Sequence, residues 1–292
     1  VALMDSKSIA ATAFNGGYLT SAESCPVEFT VPTYEFNSNI YDNIVYNGYG
    51  KAQPETEIVY GPSIKDWPQM SALTDNLLLQ VASVIRDEVT TTDELIPSGE
   101  TSSFRSNPLG LAEFTLSRRD PEYVGRAKAV QAMEQERLAG TVNAEIAEVM
   151  KVVNTIPGQE QVKAEDVEIG STIYANKPGD GSAREQAASC QRVLGALANI
   201  TQEYATKRYR SNCMNWGMLP FHLKGEPTMF DVDDYIYIPN MRTALEGDLT
   251  DIPAYVIKNG KAEEIHLYIQ PMTENERKIV RAGCLINFNR NK

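Results

Sequence analysis

The chain has 292 residues, 42% hydrophobic and 23% charged, the balance of a soluble globular protein long enough for one large domain or two ordinary ones. A formal net charge of -12 argues against a general nucleic-acid surface, and any anionic ligand must be held by particular arginines against the overall field. The four cysteines, Cys25, Cys190, Cys213 and Cys284, lie far apart with no C-x-x-C pair, which gives neither a zinc site nor a disulfide framework and points to reduced thiols in a cytoplasm. The sequence has no apolar run near the roughly 20 residues of a membrane span and no signal-peptide pattern.

Residues 1–24 read as a short helix, with Ser6 or Ser8 as its cap, that stops at Gly16-Gly17. Val1 already lies in an amphipathic stretch, the pattern expected of a fragment. From Cys25 to about Gln69 proline, asparagine and tyrosine dominate without sustained periodicity, which predicts an extended linker with one or two short strands. Leu77–Arg86 is a strongly apolar strand that runs into a loop rich in Thr, Asp, Pro, Ser and Gly. Pro121 to about Val153 has apolar residues at helical spacing on either side of Gly140, which predicts two helices.

Val167–Tyr174 is a short strand, Ala183 to about Gly195 a helix, Ala196–Tyr204 a strand and Thr206–Met214 a helix. An extended run resumes at Leu219, strand-like alternation follows around 236–238, 254–257 and 265–269, and Thr273–Gly283 closes as a helix. Alternating strands and helices with a β-rich end predict an α/β domain from about residue 70 to 292.

The familiar catalytic signatures are missing. His222 and His266 lack helical partners for a metal, and there is no H-E-x-x-H, P-loop, dinucleotide-binding glycine fingerprint or G-x-S-x-G elbow. Two segments are left as candidates. In Gly179-Asp180-Gly181-Ser182-Ala183-Arg184-Glu185-Gln186, Ser182 and Glu185 have capping-box spacing; alternatively, free amides at a helix start together with Arg184 favour a bound anion or a serine alkoxide. In Thr90-Thr91-Thr92-Asp93, with Arg105 twelve residues after the aspartate, the choice is between an aspartate turn beside a surface arginine and a bidentate carboxylate clamp at Arg105.

Taken together, Thr91-Thr92-Asp93, Arg105 and Gly181-Ser182-Ala183-Arg184-Glu185-Gln186-Ala187 resemble the C-terminal part of the aconitase superfamily of hydro-lyases. That family typically carries a threonine-threonine-aspartate loop, an arginine twelve residues later, and then a glycine-serine-serine-arginine-glutamate-histidine-alanine motif. Asn212–Phe221 is similar to its asparagine-to-glycine-leucine-proline stretch, and Met4-Asp5-Ser6 to Gly16-Gly17 looks like the end of its preceding domain.

The resemblance implies three parts: residues 1–28 as the tail of an iron-sulfur catalytic domain, 29–69 as an extended linker, and 70–292 as a swivelling β/β/α domain. It implies a 4Fe–4S cluster whose cysteine ligands are not in this chain, so that the chain binds no metal itself and is inactive alone. By carry-over Ser182 is the base, Arg184 supports its alkoxide and binds substrate, Arg105 recognises a distal carboxylate, and Asp93 belongs to the hydrogen-bond network. Ala183 stands at a substrate-binding position where the family has a second serine, and Gln186 replaces a histidine. The expected substrate is a tricarboxylate of the tricarboxylic acid cycle, citrate or isocitrate interconverted through aconitate. Isopropylmalate or homoaconitate dehydratase chemistry and an RNA-binding relative are the alternatives. The expected partner is the N-terminal iron-sulfur part, with no membrane and no nucleic acid.

Overall fold

A computed structural model describes residues 3–25, 30–44, 47–226 and 230–290. The chain divides into two compact units, 1–58 and 59–292.

The first unit contains helix α1, Ser6–Phe14, and helix α2, Asn39–Ile44. The α1 cap is Asp5, whose Oδ1 accepts from the backbone N–H groups of Lys7 at 2.9 Å and Ser8 at 3.0 Å. Ser6 and Ser8 already lie inside the helix, and a carboxylate one residue upstream reaches two otherwise orphaned donors. Gly16 and Gly17, both at positive φ, end it. The strands expected in the linker are not found among its described residues; its tyrosine- and asparagine-rich part forms α2 instead.

The second unit is built on strands β1 (Asn76–Ile85), β2 (Thr90–Thr91), β3 (Val167–Ala175), β4 (Pro178–Asp180), β5 (Ala196–Thr201), β6 (Leu219–Lys224), β7 (Tyr235–Ile238), β8 (Ile252–Lys258) and β9 (Lys261–Tyr268). Its helices are α3 (Thr92–Leu95), α4 (Pro108–Ala112), α5 (Tyr123–Leu138), α6 (Ala144–Val153), α7 (Arg184–Val193), α8 (Lys207–Asn215), α9 (Met241–Ala244), α10 (Glu274–Arg281) and α11 (Leu285–Arg290). A glycine at φ +82, Gly140, separates α5 from α6, because a left-handed turn there costs a residue without Cβ nothing.

The expected mixed α/β fold is present, and its main sheet closes into a barrel in the order β1-β3-β5-β6-β9-β8-β7. β1, β3, β5 and β6 run parallel, joined through α5, α7 and α8, while β9, β8 and β7 are antiparallel and return to β1, with Leu77 opposite Ile238. Parallel strands must be covered on both faces, and β3 is buried along its whole length. Along β1, Leu77, Leu79 and Val81 fill the barrel with Phe221, Ile236 and Leu267, while Ala82 faces the α7 and α8 side and Leu78 the α6 side. The β8–β9 hairpin turns at Asn259-Gly260, both at positive φ, the conformation a two-residue type I′ turn demands.

The barrel places the candidate residues. β1 and β3 are parallel neighbours, so the segments carrying Asp93 and Ser182 leave the same end of the sheet. A second, two-stranded sheet joins those segments: Thr90 pairs with Pro178 and Thr91 with Asp180, and Thr90 N donates to Lys177 O at 2.9 Å.

Candidate functional site

Each residue of the Thr91-Thr92-Asp93 loop does a different job. Thr91 caps α3: its Oγ1 accepts from Glu94 N at 3.2 Å, and Glu94 Oε2 accepts from Thr91 N at 2.7 Å. The buried Thr92 hydroxyl reaches across to the serine segment and accepts from Ala183 N at 3.3 Å. Asp93 turns away: its carboxylate pairs with Arg118 at 2.8 Å and accepts from Ser98 N at 3.1 Å, while Arg118 also holds Glu100 at 2.7 Å.

The serine segment is fitted to this loop and to α8 by two glycines. Gly181 lies at φ +130, and a Cβ there would stand 2.2 Å from Thr92 Oγ1. Gly179 lies at φ +95, and a Cβ there would stand 2.3 Å from the ring of Tyr209. Thr206, the cap of α8, donates its hydroxyl to Gly179 O at 3.1 Å. The residue type is therefore dictated by tertiary proximity as well as by φ.

The capping box read from Ser182 and Glu185 is not made. α7 begins at Arg184 with Ala183 as its N-cap and no side-chain cap bond, which leaves Ser182 one residue outside the helix, exposed, with its hydroxyl unengaged. Glu185 is drawn the other way: Asn212 Nδ2 donates to its Oε2 at 2.7 Å and Trp216 Nε1 to its Oε1 at 2.5 Å. One side-chain donor from α8 and one from the residue that follows it give the carboxylate two charge-assisted hydrogen bonds, against the single backbone amide of a capping box.

Ser182, Ala183, Gln186 and Arg105 line one cleft of about 220 Å³, together with Ile96, Ser98 and Thr101. Arg105 follows the short 3-10 turn Ser102–Phe104 and is exposed, and among the described residues its guanidinium has no hydrogen-bond or ion-pair partner. Arg184 is half-buried, and its Nε is buried without an acceptor. The structure thus brings Ser182, Ala183 and Arg105 to one wall-to-wall space, sets Arg184 on the adjoining helical turn, and keeps Asp93 outside the lining. Asp93 reaches the cleft only through Ser98.

Ser98 and Thr101 were not singled out in the sequence, although both lie in the polar run between Asp93 and Arg105. Their signal was the clustering of small hydroxyl residues at a strand end, which marks a loop without saying which hydroxyl faces inward.

A second cavity of about 280 Å³ sits at the opposite ends of the strands, where Ser71, Glu134, Glu168 and Arg192 meet. Most of its polar groups are engaged, although Arg192 Nε, like Arg184 Nε, is buried without an acceptor. Ser71 Oγ and Thr74 N donate to Glu168, Arg137 binds Glu134 at 2.6 Å, and Arg192 donates to the carbonyls of Ser71 and Ala196. Burial raises the Glu168 pKa against the opposing pull of Arg192, and burial lowers that of Arg192. These groups are bonded into the surrounding backbone and side chains, which leaves the smaller cleft, with its unengaged Ser182 and Arg105, as the candidate chemical site.

Among the described residues no three His, Cys, Asp or Glu side chains converge as a metal group. Cys190, Cys213 and Cys284 are buried in separate places, and burial pushes the thiols of Cys190 and Cys213 up to about 12. A cluster needs thiolates, so this donor set does not fit one. No helix among the described residues is long and apolar enough to cross a membrane.

Residues 128–226, which include α7 and α8, match the family model described as the aconitase C-terminal domain; Asp93 and Arg105 lie outside the matched span. The chain is 25% identical over 267 residues to aconitate hydratase A of Rickettsia conorii, covering 82% of this chain and 29% of that protein. It is 37% identical over 113 residues to the mitochondrial aconitate hydratase of Emericella nidulans, covering 35% of this chain and 13% of that protein. The chain thus spans less than a third of the length of these curated relatives. Among solved structures, 3-isopropylmalate dehydratase of Methanocaldococcus jannaschii superposes with a TM-score of 0.44 at 20% identity, covering 74% of this chain and 94% of that one. The family match and these relatives support reading the chain as similar to the C-terminal portion of the aconitase superfamily, with residues 128–226 matching that family's C-terminal domain.

Proposed function

We propose that this chain supplies the base and the carboxylate-binding cations of an aconitase-type hydro-lyase that interconverts citrate and isocitrate through aconitate. The observation that carries the proposal is the shared cleft: Arg105 and Ser182 come from different strand ends, line one space, and have no other engagement within it.

In this reading a substrate carboxylate lies in the fork of Arg105, which offers two parallel N–H donors in the geometry a carboxylate needs. Ser182 Oγ takes the proton from the carbon beside a second carboxylate and returns it in the hydration direction. A serine hydroxyl holds its proton too tightly to act unaided. The free amides at the start of α7, a ten-residue helix, and the positive charge of Arg184 favour its alkoxide. Asp93 is a positioning residue: it binds Ser98, and Ser98 lines the cleft. The cysteines here do not form a cluster site, so departure of the substrate hydroxyl requires a 4Fe–4S group held by residues outside this chain. The chain alone is accordingly expected to show no hydratase turnover.

An unpaired arginine in the cleft disfavours a substrate with an apolar distal group, because burying the guanidinium against hydrocarbon leaves it unsatisfied. Ala183 and Gln186 remove a hydroxyl and an imidazole from the family's pattern, so recognition on that wall relies on Gln186 and Ser98. Calorimetric titration of the chain with tricarballylate and with isopropylmalate tests the assignment. Tricarballylate should bind the more tightly and lose at least tenfold in Arg105→Ala; preference for isopropylmalate would sink the tricarboxylate reading.

A further inference from the structure

The serine-bearing turn is held from behind. Glu185, one residue after Arg184, has its carboxylate fixed at both oxygens, by Asn212 of α8 and by Trp216 at that helix's C-terminal end. Trp216 is itself buried, and Trp67 from the segment before β1 lies on it with ring centroids 4.3 Å apart. The same segment touches the other wall: Lys65 N donates to Ser106 O at 2.9 Å, directly after Arg105. Residues 65–67 therefore reach the supports of both cleft residues, one by a backbone bond and one through the paired indoles.

Trp at 216 combines two functions in one side chain. Its ring gives a wide apolar face for Trp67, and its N–H supplies a donor to a carboxylate. Without that donor, Glu185 has Asn212 alone and its spacing permits it to swing back to the helix start, where capping would compete for the amides beside Ser182.

We propose that Trp216, covered by Trp67, is a positioning residue that acts through Glu185 to keep the start of α7 free for Ser182. Residues 65–67 thereby couple the segment entering the barrel to the state of the cleft. The inference rests on Ser182 being the reactive group, and its test is independent of any substrate.

The test uses the chain carrying Ser182→Cys and Cys25→Ser. The remaining three cysteines are buried, so iodoacetamide alkylation reads position 182. Free helix-start amides favour a thiolate, and the pH midpoint of alkylation measures them. Trp216→Phe keeps a ring against Trp67 and removes only the donor; it should raise the midpoint by about half a pH unit, the size expected of losing a helix-terminus interaction. Trp67→Ala should shift it in the same direction by less. Val280→Ala, a core change in α10, should leave the midpoint unmoved at equal loss of global stability. An unchanged midpoint in Trp216→Phe, or an equal shift in Val280→Ala, would overturn the proposal. Failure of tricarballylate to bind the parent chain would instead count against the function proposed above, and would leave this readout intact.

Discussion

At the carboxyl ends of β1 and β3, Arg105 stands exposed without a partner, beside a serine whose hydroxyl is unengaged. At the amino ends of β3 and β5, Arg192 is buried among carbonyls and the carboxylate of Glu168. One barrel therefore carries two polar cavities with opposite charge economies. At the amino ends the polar groups are largely tied into the fold, whereas at the carboxyl ends an exposed cation and a hydroxyl remain open to solvent or to a ligand.

The contrast breaks most readily at Arg192. Arg192→Ala leaves the carbonyls of Ala196 and Ser71 without their donor and removes the cation that offsets Glu168, and should cost about 3 kcal/mol in urea unfolding, the penalty of unsatisfied buried polar groups. Arg105→Ala should stay within about 0.5 kcal/mol, as exposed substitutions do. Equal effects would end the distinction between the two ends.

The next largest effect is expected at the turn itself. Gly181→Ala forces a Cβ onto Thr92 Oγ1 at φ +130 and should destabilise the chain by about 1–3 kcal/mol. Its hydrogen exchange should rise first at Ala183, whose amide depends on Thr92. Ser182→Ala, one residue on, should leave stability unchanged while abolishing turnover once the chain is joined to a cluster-bearing part.

Acidity gives a smaller, graded test. Glu168 is raised by burial, so the folded state holds its proton more tightly than the unfolded state does. Its contribution is therefore most favourable at low pH and declines as pH rises above the ordinary glutamate value, about 4.3, toward the raised one. Glu168→Gln should flatten that decline in urea midpoints measured from pH 4.5 to 7. A decline of unchanged slope would mean that the amino-end carboxylate is not what titrates. Arg118→Ala gives a small effect of another kind. Both its ion pairs are half-exposed, so stability should change little, while the loosened Ser98 should weaken tricarballylate binding modestly.

Much of this was legible in the sequence because it is local. The apolar run at β1, the break at Gly140 between α5 and α6, and the glycine turn before α7 each express their structure within a few residues. Barrel closure does not: Leu77 pairs with Ile238, and nothing in either segment names the other. The linker strands failed for a related reason, since tyrosine-rich polar sequence supports α2 as well as extended chain.

Two features of the site depend on residues distant in sequence. Ser182 and Glu185 have the spacing of a capping box, as Thr91 and Glu94 and Thr273 and Glu276 do, yet only the latter two boxes form. The difference is Asn212 and Trp216, 27 and 31 residues downstream of Glu185, which spacing alone could not reveal. Asp93, assigned by resemblance to the hydrogen-bond network of the site, stands outside the cleft lining because Arg118, 25 residues away, pairs with its carboxylate.

The stitch between β2 and β4 has a consequence for how such a cleft can change. It joins the two loops through main-chain pairing, including the bond from Thr90 N to Lys177 O, and so is indifferent to the side chains that face inward. Positions 98, 183 and 186 can accept new residues without disturbing the distance between the loops. The frame behaves as a socket of fixed bore, and the alanine and glutamine found in it are fittings that can be exchanged for others.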